Sequence, residues 1–254
     1  MVRPLLSGWP QTGWRRLRHP DIAAWANAAR PLAEQVLATS AEAWRCGGTW
    51  FVGVDALPNG PDGAMGGVAF PWQAVGLAPE ALHPGQLSVI RPDYPQPSPG
   101  ESPAAFAYRR DRDAAHLDGL IADAQKRRRV AEPHGWILGL SLNDCSPDAA
   151  PLVVWEGSHS LMRAAFLAAL APYPQTDWAK VDITAAYTEA RKRCFQTCRR
   201  VALPSQPGEA ILLHRLTLHG VAPWGQGAVA PPEGRMIAYF RPQLAQVADW
   251  LLQP

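Results

Sequence analysis

Short runs of apolar and β-branched residues, separated by clusters of Gly, Pro, Asn and Asp, recur along this chain and constrain its fold more than any other feature. Trp50-Phe51-Val52-Gly53-Val54 is followed by the turn-forming Pro58-Asn59-Gly60-Pro61-Asp62-Gly63. Leu87-Ser88-Val89-Ile90-Arg91 is followed by a segment with prolines at 92, 95, 97, 99 and 103, which reads as a surface loop. Ala105 to Arg109 reads as a further strand, and the apolar runs Trp136 to Leu142, Leu152 to Trp155, Arg200 to Leu203, Ala210 to Leu213, Leu216 to Leu218 and Met236 to Phe240 complete the series.

Helical text interrupts these strands. Residues from about 20 to 45 place Ile22, Trp25, Leu32, Val36 and Leu37 at helical spacing behind a capping Asp21, with Pro31 expected to divide the helix. The stretch from Asp118 to about Glu132 also reads as helix, closing on Lys126-Arg127-Arg128-Arg129, where cations suit the negative end of the dipole. A helical insert of about 158–195 carries two helical stretches around Pro174. Strands and helices do not alternate regularly and no glycine-rich phosphate loop follows a strand, which disfavours a parallel α/β sheet. The expectation is a mainly β fold with helical insertions: a jelly-roll or cupin-like barrel, the double-stranded β-helix, flanked by helices, with residues 1–254 in a single domain.

Charge narrows the partners. A formal net charge of +2 and a pI near 8.4 provide no extended basic face alternating with aromatics, so nucleic acid is not expected. No apolar run reaches the length of a membrane span, and the run within Met1 to Pro10 is too short for a signal peptide; a cytoplasmic location without membrane contact is expected. Cys46, Cys145, Cys194 and Cys198 read as reduced, structural thiols. The basic stretch from Arg191 to Arg200 reads as a solvated face, with an anionic substrate group as the alternative.

The chemistry enters at Ala115-His116-Leu117-Asp118-Gly119. Side chains two apart in an extended segment point the same way, so His116 and Asp118 can hold one ion from one side. A second imidazole brought in by the fold would complete two histidines and one carboxylate on a single face, the set that holds ferrous iron and leaves positions open. His219, in Leu218-His219-Gly220, is the candidate.

In this order the elements from His116 to Pro242 resemble the phytanoyl-CoA dioxygenase-like branch of the Fe(II)/2-oxoglutarate-dependent oxygenases. The likeness rests on His116-Leu117-Asp118, the apolar strand from Trp136, Gly157-Ser158-His159, Pro207-Gly208-Glu209 before a strand, His219-Gly220, and Arg235 opening the last strand. It departs from the family where Glu156 replaces a proline, Glu209 an aspartate and Gly119 a tryptophan. The resemblance implies His116, Asp118 and His219 as catalytic metal ligands, with His214 structural or beside the site. It further implies Fe(II), 2-oxoglutarate as cosubstrate, O2, and hydroxylation of a small molecule with release of succinate. The distal carboxylate of 2-oxoglutarate would need a fixed cation; Arg235 is the first choice and Arg241, on the same strand face, the second. Ser158 and His159 are read either as orienting neighbours of the metal or as satisfying a local turn, His134 as structural, and Trp136, Trp224 and Tyr239 as core residues or pocket walls. Two rival readings stay open: a non-catalytic jelly-roll binding protein, and a cupin-like metalloenzyme that needs no oxoacid.

Overall fold

A computed structural model describes residues 9–253 of the chain; the greater part of the N-terminal apolar run, residues 1–8, lies outside the described residues. In chain order the elements are β1 (Trp14–Arg18), α1 (Pro20–Thr39), β2 (Trp50–Gly53), α2 (Trp72–Val75), β3 (Gln86–Ile90), α3 (Pro103–Asp111), β4 (Leu120–Ala122), β5 (Arg128–Val130), β6 (Trp136–Ser141) and β7 (Leu152–Trp155). Next come α4 (Ser158–Leu170), a 3-10 helix (Gln175–Lys180), α5 (Thr184–Thr197), β8 (Arg200–Leu203), β9 (Glu209–His214), β10 (His219–Val221), β11 (Arg235–Phe240) and α6 (Val247–Leu252).

The principal sheet has six antiparallel strands in the order β1-β9-β6-β11-β3-β2. Alternation divides its side chains cleanly. Met236, Ala238 and Phe240 of β11, with Leu138 and Leu140 of β6, turn to one face and meet Ile22, Trp25, Ala26, Ala29 and Ala33 of α1, whose spacing forms one helical stripe. Arg235, Ile237 and Tyr239 turn to the opposite face, where the site lies. The helix runs unbroken through Pro31, against expectation. Pro31 and Asn27, whose carbonyl the proline leaves without its helical donor, both lie on the solvent side, so the free carbonyl is open to hydration and the break is tolerated.

A second sheet, β10-β7-β8, has strands of only three or four residues, and β4-β5 form a separate hairpin. Leu152 and Val154 of the second sheet pack with Ile137, Ile211 and Leu213 of the first.

The expected barrel is corrected by this arrangement. It is a mixed α/β fold of several separate sheets, none closed on itself, and no jelly roll or double-stranded β-helix forms. No hydrogen-bonded ladder joins the six-stranded sheet to the three-stranded one. Between β7 and β8 the chain leaves through α4, the 3-10 helix and α5, so the strands never wind continuously. Two local readings are corrected as well. Ala105 to Arg109 lies in α3, started by Ser102, whose hydroxyl accepts from the Ala105 N–H at 3.2 Å, and by Pro103 in the first turn. The expected helix from Asp118 to Glu132 is instead the β4-β5 hairpin, turned where the Asp123 carboxylate accepts from the Gln125 and Arg127 N–H groups. Leu216 to Leu218 forms a turn before β10 and no strand of its own.

Candidate metal centre

Ala115 and Leu117 are buried in the cluster that also holds Val153 and Leu218, which turns the intervening His116 and the following Asp118 to the other side. His116 and His219 form an isolated antiparallel bridge: the His116 N–H donates to the His219 carbonyl at 2.8 Å and the His219 N–H to the His116 carbonyl at 3.1 Å. Reciprocal bonding holds two residues face to face. The ring centroids lie 4.7 Å apart, and one ligand atom from each of His116, Asp118 and His219 falls within 4.8 Å of the others.

The imidazole orientations decide what this cluster can bind. His116 Nδ1 lies 2.9 Å from the Ala114 carbonyl and His219 Nδ1 2.9 Å from the Thr217 carbonyl. A carbonyl only accepts, so each Nδ1 carries a proton, and each ring in its neutral form presents the Nε2 lone pair inward. Those Nε2 atoms lie 3.3 and 3.8 Å from Asp118 Oδ1. Asp118 Oδ2 accepts from Arg241 Nη1 at 3.0 Å, and Arg241 Nη2 donates to Gln86 Oε1 at 2.6 Å.

Burial pushes the Asp118 carboxyl upward, but the His116 hydrogen bond and the charges of His219 and Arg241 outweigh it and hold the group well below its usual range. Burial, reinforced by His116, lowers His219 to about 4. His116 is raised: desolvation by the surrounding protein lowers it, but the Asp118 hydrogen bond and charge outweigh that. A permanently ionised carboxylate with an imidazole kept neutral suits a divalent transition metal.

Two glycines hold the ligand segments close to neighbouring backbone. At Gly220 a Cβ would collide with the Asp113 carbonyl oxygen, which accepts from the Val221 N–H at 2.9 Å. Gly119 has φ +82°, and a Cβ there would collide with the Glu132 carbonyl. Asp113 is itself buried and grips Arg200 through two 2.7 Å bonds. On the other side the buried Ser158 hydroxyl accepts from the Leu218 N–H at 2.9 Å, tying Gly157-Ser158-His159 to the residue before His219.

The remaining sequence candidates separate clearly. His214 faces away from the three ligands: its Nδ1 accepts from the Leu216 N–H at 3.0 Å and its ring lies 4.9 Å from that of His159. His134 donates from Nδ1 to the Arg241 carbonyl at 3.1 Å. Trp136 faces the α1 core, while Tyr239 lines the cavity at the three ligands. Arg235 is buried at the start of β11, on the strand face that also carries Tyr239, and its Nε has no partner among the described residues. It enters none of the ion pairs among the described residues. The basic stretch is engaged elsewhere: Arg191 lies over the Tyr108 and Tyr187 rings, Arg199 bonds Glu156, and Arg200 bonds Asp113.

No family model and no curated protein matches the chain. Solved structures do. The chain is similar to the non-haem alpha-ketoglutarate-dependent carbocyclase SnoK from nogalamycin biosynthesis, at 14% identity over 94% of this chain and 85% of that one, with a TM-score of 0.45. EctD from S. alaskensis with bound Fe matches at 14% identity over 94% and 81%, TM-score 0.42, and the alpha-ketoglutarate-dependent epimerase SnoN at 13% over 91% and 77%, TM-score 0.42. The likeness is remote.

Sequence reasoning missed Gln86 and Ser88 of β3 and also Arg45, Trp50, Val52 and Val54, all of which line the same cavity as the ligands. A signal was present: Gln86 and Ser88 are alternate polar residues in an otherwise apolar strand. Among the described residues no helix is long and apolar enough to cross a membrane.

Proposed function

We propose that this protein is an Fe(II)- and 2-oxoglutarate-dependent oxygenase that hydroxylates a small molecule. One observation carries the reading: two imidazoles, each with Nδ1 bonded to a backbone carbonyl, direct Nε2 toward the same oxygen of an ionised aspartate at the wall of a cavity. His116, Asp118 and His219 would hold the metal. Bound there with 2-oxoglutarate and O2, ferrous iron supplies insertion of one oxygen atom into a C–H bond, the second atom entering succinate as CO2 leaves.

The residues of the chain have separate tasks. Arg235, a buried guanidinium without an acidic partner among the described residues, would take the distal carboxylate of 2-oxoglutarate with its planar fork. Arg241 is occupied by Asp118 and Gln86, which favours Arg235 over it for that role. By holding Oδ2, Arg241 leaves Oδ1 toward the histidines. The carbonyls of Ala114 and Thr217 fix the histidine tautomers.

Anaerobic titration with Fe(II) and 2-oxoglutarate is expected to develop a weak visible charge-transfer band that His219→Ala lacks. Arg235→Ala should weaken 2-oxoglutarate binding tenfold or more and leave metal affinity within about twofold. Absence of both iron binding and the band in the wild-type protein would overturn the proposal; equal 2-oxoglutarate affinity in Arg235→Ala would favour a metalloenzyme without the oxoacid.

A further inference from the structure

The cavity at the three ligands extends to Arg45, and nothing in the oxygenase reading uses that end. Its volume is about 270 Å³, below the roughly 300–1,000 Å³ of sites that enclose drug-sized ligands, and too small to enclose a coenzyme A thioester. Its composition is uneven. Trp50 and Val52 of the edge strand and Val54 just past its end, with Leu152 and Val221 opposite, give an apolar wall, and Val54 stays 57% exposed. Asp118 is the only acid lining the cavity among the described residues, and Arg241 holds it. Arg45 is an exposed cation that belongs to none of the ion pairs among the described residues.

The turn presenting Arg45 is built with unusual backbone. Cys46, Gly47 and Gly48 all have positive φ, at 52°, 62° and 88°, and a non-glycine residue in that region is costly unless its surroundings hold it there. The Arg45 N–H donates to the Trp50 carbonyl at 2.7 Å, its own carbonyl accepts from Gly48, Thr49 and Trp50, and the Thr49 hydroxyl donates to the Cys46 carbonyl at 2.6 Å. This tight loop sets the guanidinium 5.9 Å from the Trp50 ring centroid, while the indole N–H donates to Ser88 Oγ at 3.1 Å. A fixed aromatic surface thus ends at a cation without a carboxylate partner.

We infer that the substrate is a small amphiphilic carboxylate whose apolar body lies along Trp50, Val52 and Val54 and whose anionic end is held by Arg45. This rests on the oxygenase reading for the identity of the reacting centre, and it adds the substrate class. A fork-shaped cation recognises a carboxylate by two parallel hydrogen bonds, and an acid-poor, cation-bearing cavity concentrates anions. The uncharged amide of the same molecule loses that interaction and keeps the apolar contact.

The test uses 3-phenylpropanoate and 3-phenylpropanamide as probes, titrated calorimetrically into full-length protein saturated with Mn(II) and 2-oxoglutarate under nitrogen. The acid is expected to bind at least tenfold tighter than the amide. In Arg45→Gln the preference should fall to within threefold while amide binding persists, which also reports an intact cavity; Arg45→Lys should restore part of it. Equal binding of acid and amide by the wild-type protein, or a preference that survives in Arg45→Gln, overturns the substrate class and leaves the oxygenase reading standing. Failure of Mn(II) and 2-oxoglutarate themselves to bind overturns the oxygenase reading and the substrate class with it.

Discussion

The two segments that carry the histidines reach one point by different means. His219 sits in β10, paired with β7, with its side chain 8% exposed, and the segment before it is tied by Ser158 and by the Thr217 hydroxyl, which donates to the Gly13 carbonyl at 2.8 Å. His116 belongs to no strand, and its side chain is 48% exposed. It is held by its bridge to His219 and by the Asp113–Arg200 pair three residues upstream. One ligand is thus part of the scaffold and the other is fastened to it, so the two sides should respond differently to the loss of their supports.

Gly220 is where the two sides touch, and the largest effect is expected there. In Gly220→Ala the new methyl meets the Asp113 carbonyl, backbone that cannot swing aside, so the His116 and His219 segments are driven apart together. Overpacking of this kind costs about 3 kcal/mol, roughly a hundredfold in metal affinity if the strain falls on the ligands. Gly119→Ala strains only the Asp118 side, through its φ of +82° and the Glu132 carbonyl, and should cost less metal affinity. Mn(II) binding followed by electron paramagnetic resonance compares the two; equal affinities in Gly220→Ala and wild type would remove the contact as a support.

Acid should act selectively on the His219 side. Burial, with the charge of Arg215 and the neighbouring His159, lowers His214 to about 2 against an unfolded value near 6.5. Because the folded state holds this histidine neutral, its contribution to stability is complete above pH 6.5. It is lost as pH falls below that value, by about 1.4 kcal/mol for each pH unit down toward 2. Protonation also removes the Nδ1 acceptor of the Leu216 N–H. Urea midpoints measured from pH 7 to pH 4.5 should therefore fall more steeply in wild type than in His214→Asn, and a shared slope would dissociate His214 from the acid sensitivity.

Much of this contrast was legible in the sequence, for physical reasons that also mark where reading stops. The spacing of His116 and Asp118 directs both side chains one way in extended backbone, and that local rule holds because Ala115 and Leu117 are buried opposite them. The runs at Trp136, Leu152, Ala210 and Met236 are strands because apolar residues of that length suit sheets covered on both faces. Sheet closure is a different matter: it depends on which strand edges pair across long connections, and no local pattern encodes that. Local misreadings had local causes. Phe106 and Tyr108 alternate like a strand, but Ser102 and Pro103 start a helix. The basic run after Asp118 looks helical, but Asp123 and the left-handed Lys126, φ 62°, turn it back as a hairpin. Arg45, Gln86 and Ser88 belong to the cavity through sheet pairing alone, and pairing does not follow from the sequence.

Removing one support from each side would sharpen the contrast further. Asp113→Asn keeps a residue that tolerates the φ of +52° at this position and deletes the charge facing Arg200. Asp113 is buried, but the Arg200 side chain is 47% exposed and its freed guanidinium can be hydrated, so the expected cost is about 2 kcal/mol instead of the larger penalty of a fully buried pair. The loss should appear as faster amide exchange around His116, while Leu218 stays protected.

Ser158→Ala is the converse and should be the smallest of these effects. It removes the acceptor from one buried N–H, that of Leu218, at a cost of about 1 kcal/mol, the low end for an unsatisfied buried donor. The β10–β7 ladder and the bond from the Trp155 N–H to the Leu218 carbonyl at 3.0 Å remain to hold the strand. Exchange of the Leu218 amide should rise by roughly fivefold to tenfold with Mn(II) affinity almost unchanged. If Ser158→Ala instead cost as much metal affinity as Asp113→Asn, His219 would depend on its side-chain tether and not on its ladder, and the distinction between the built-in and the fastened ligand would fail.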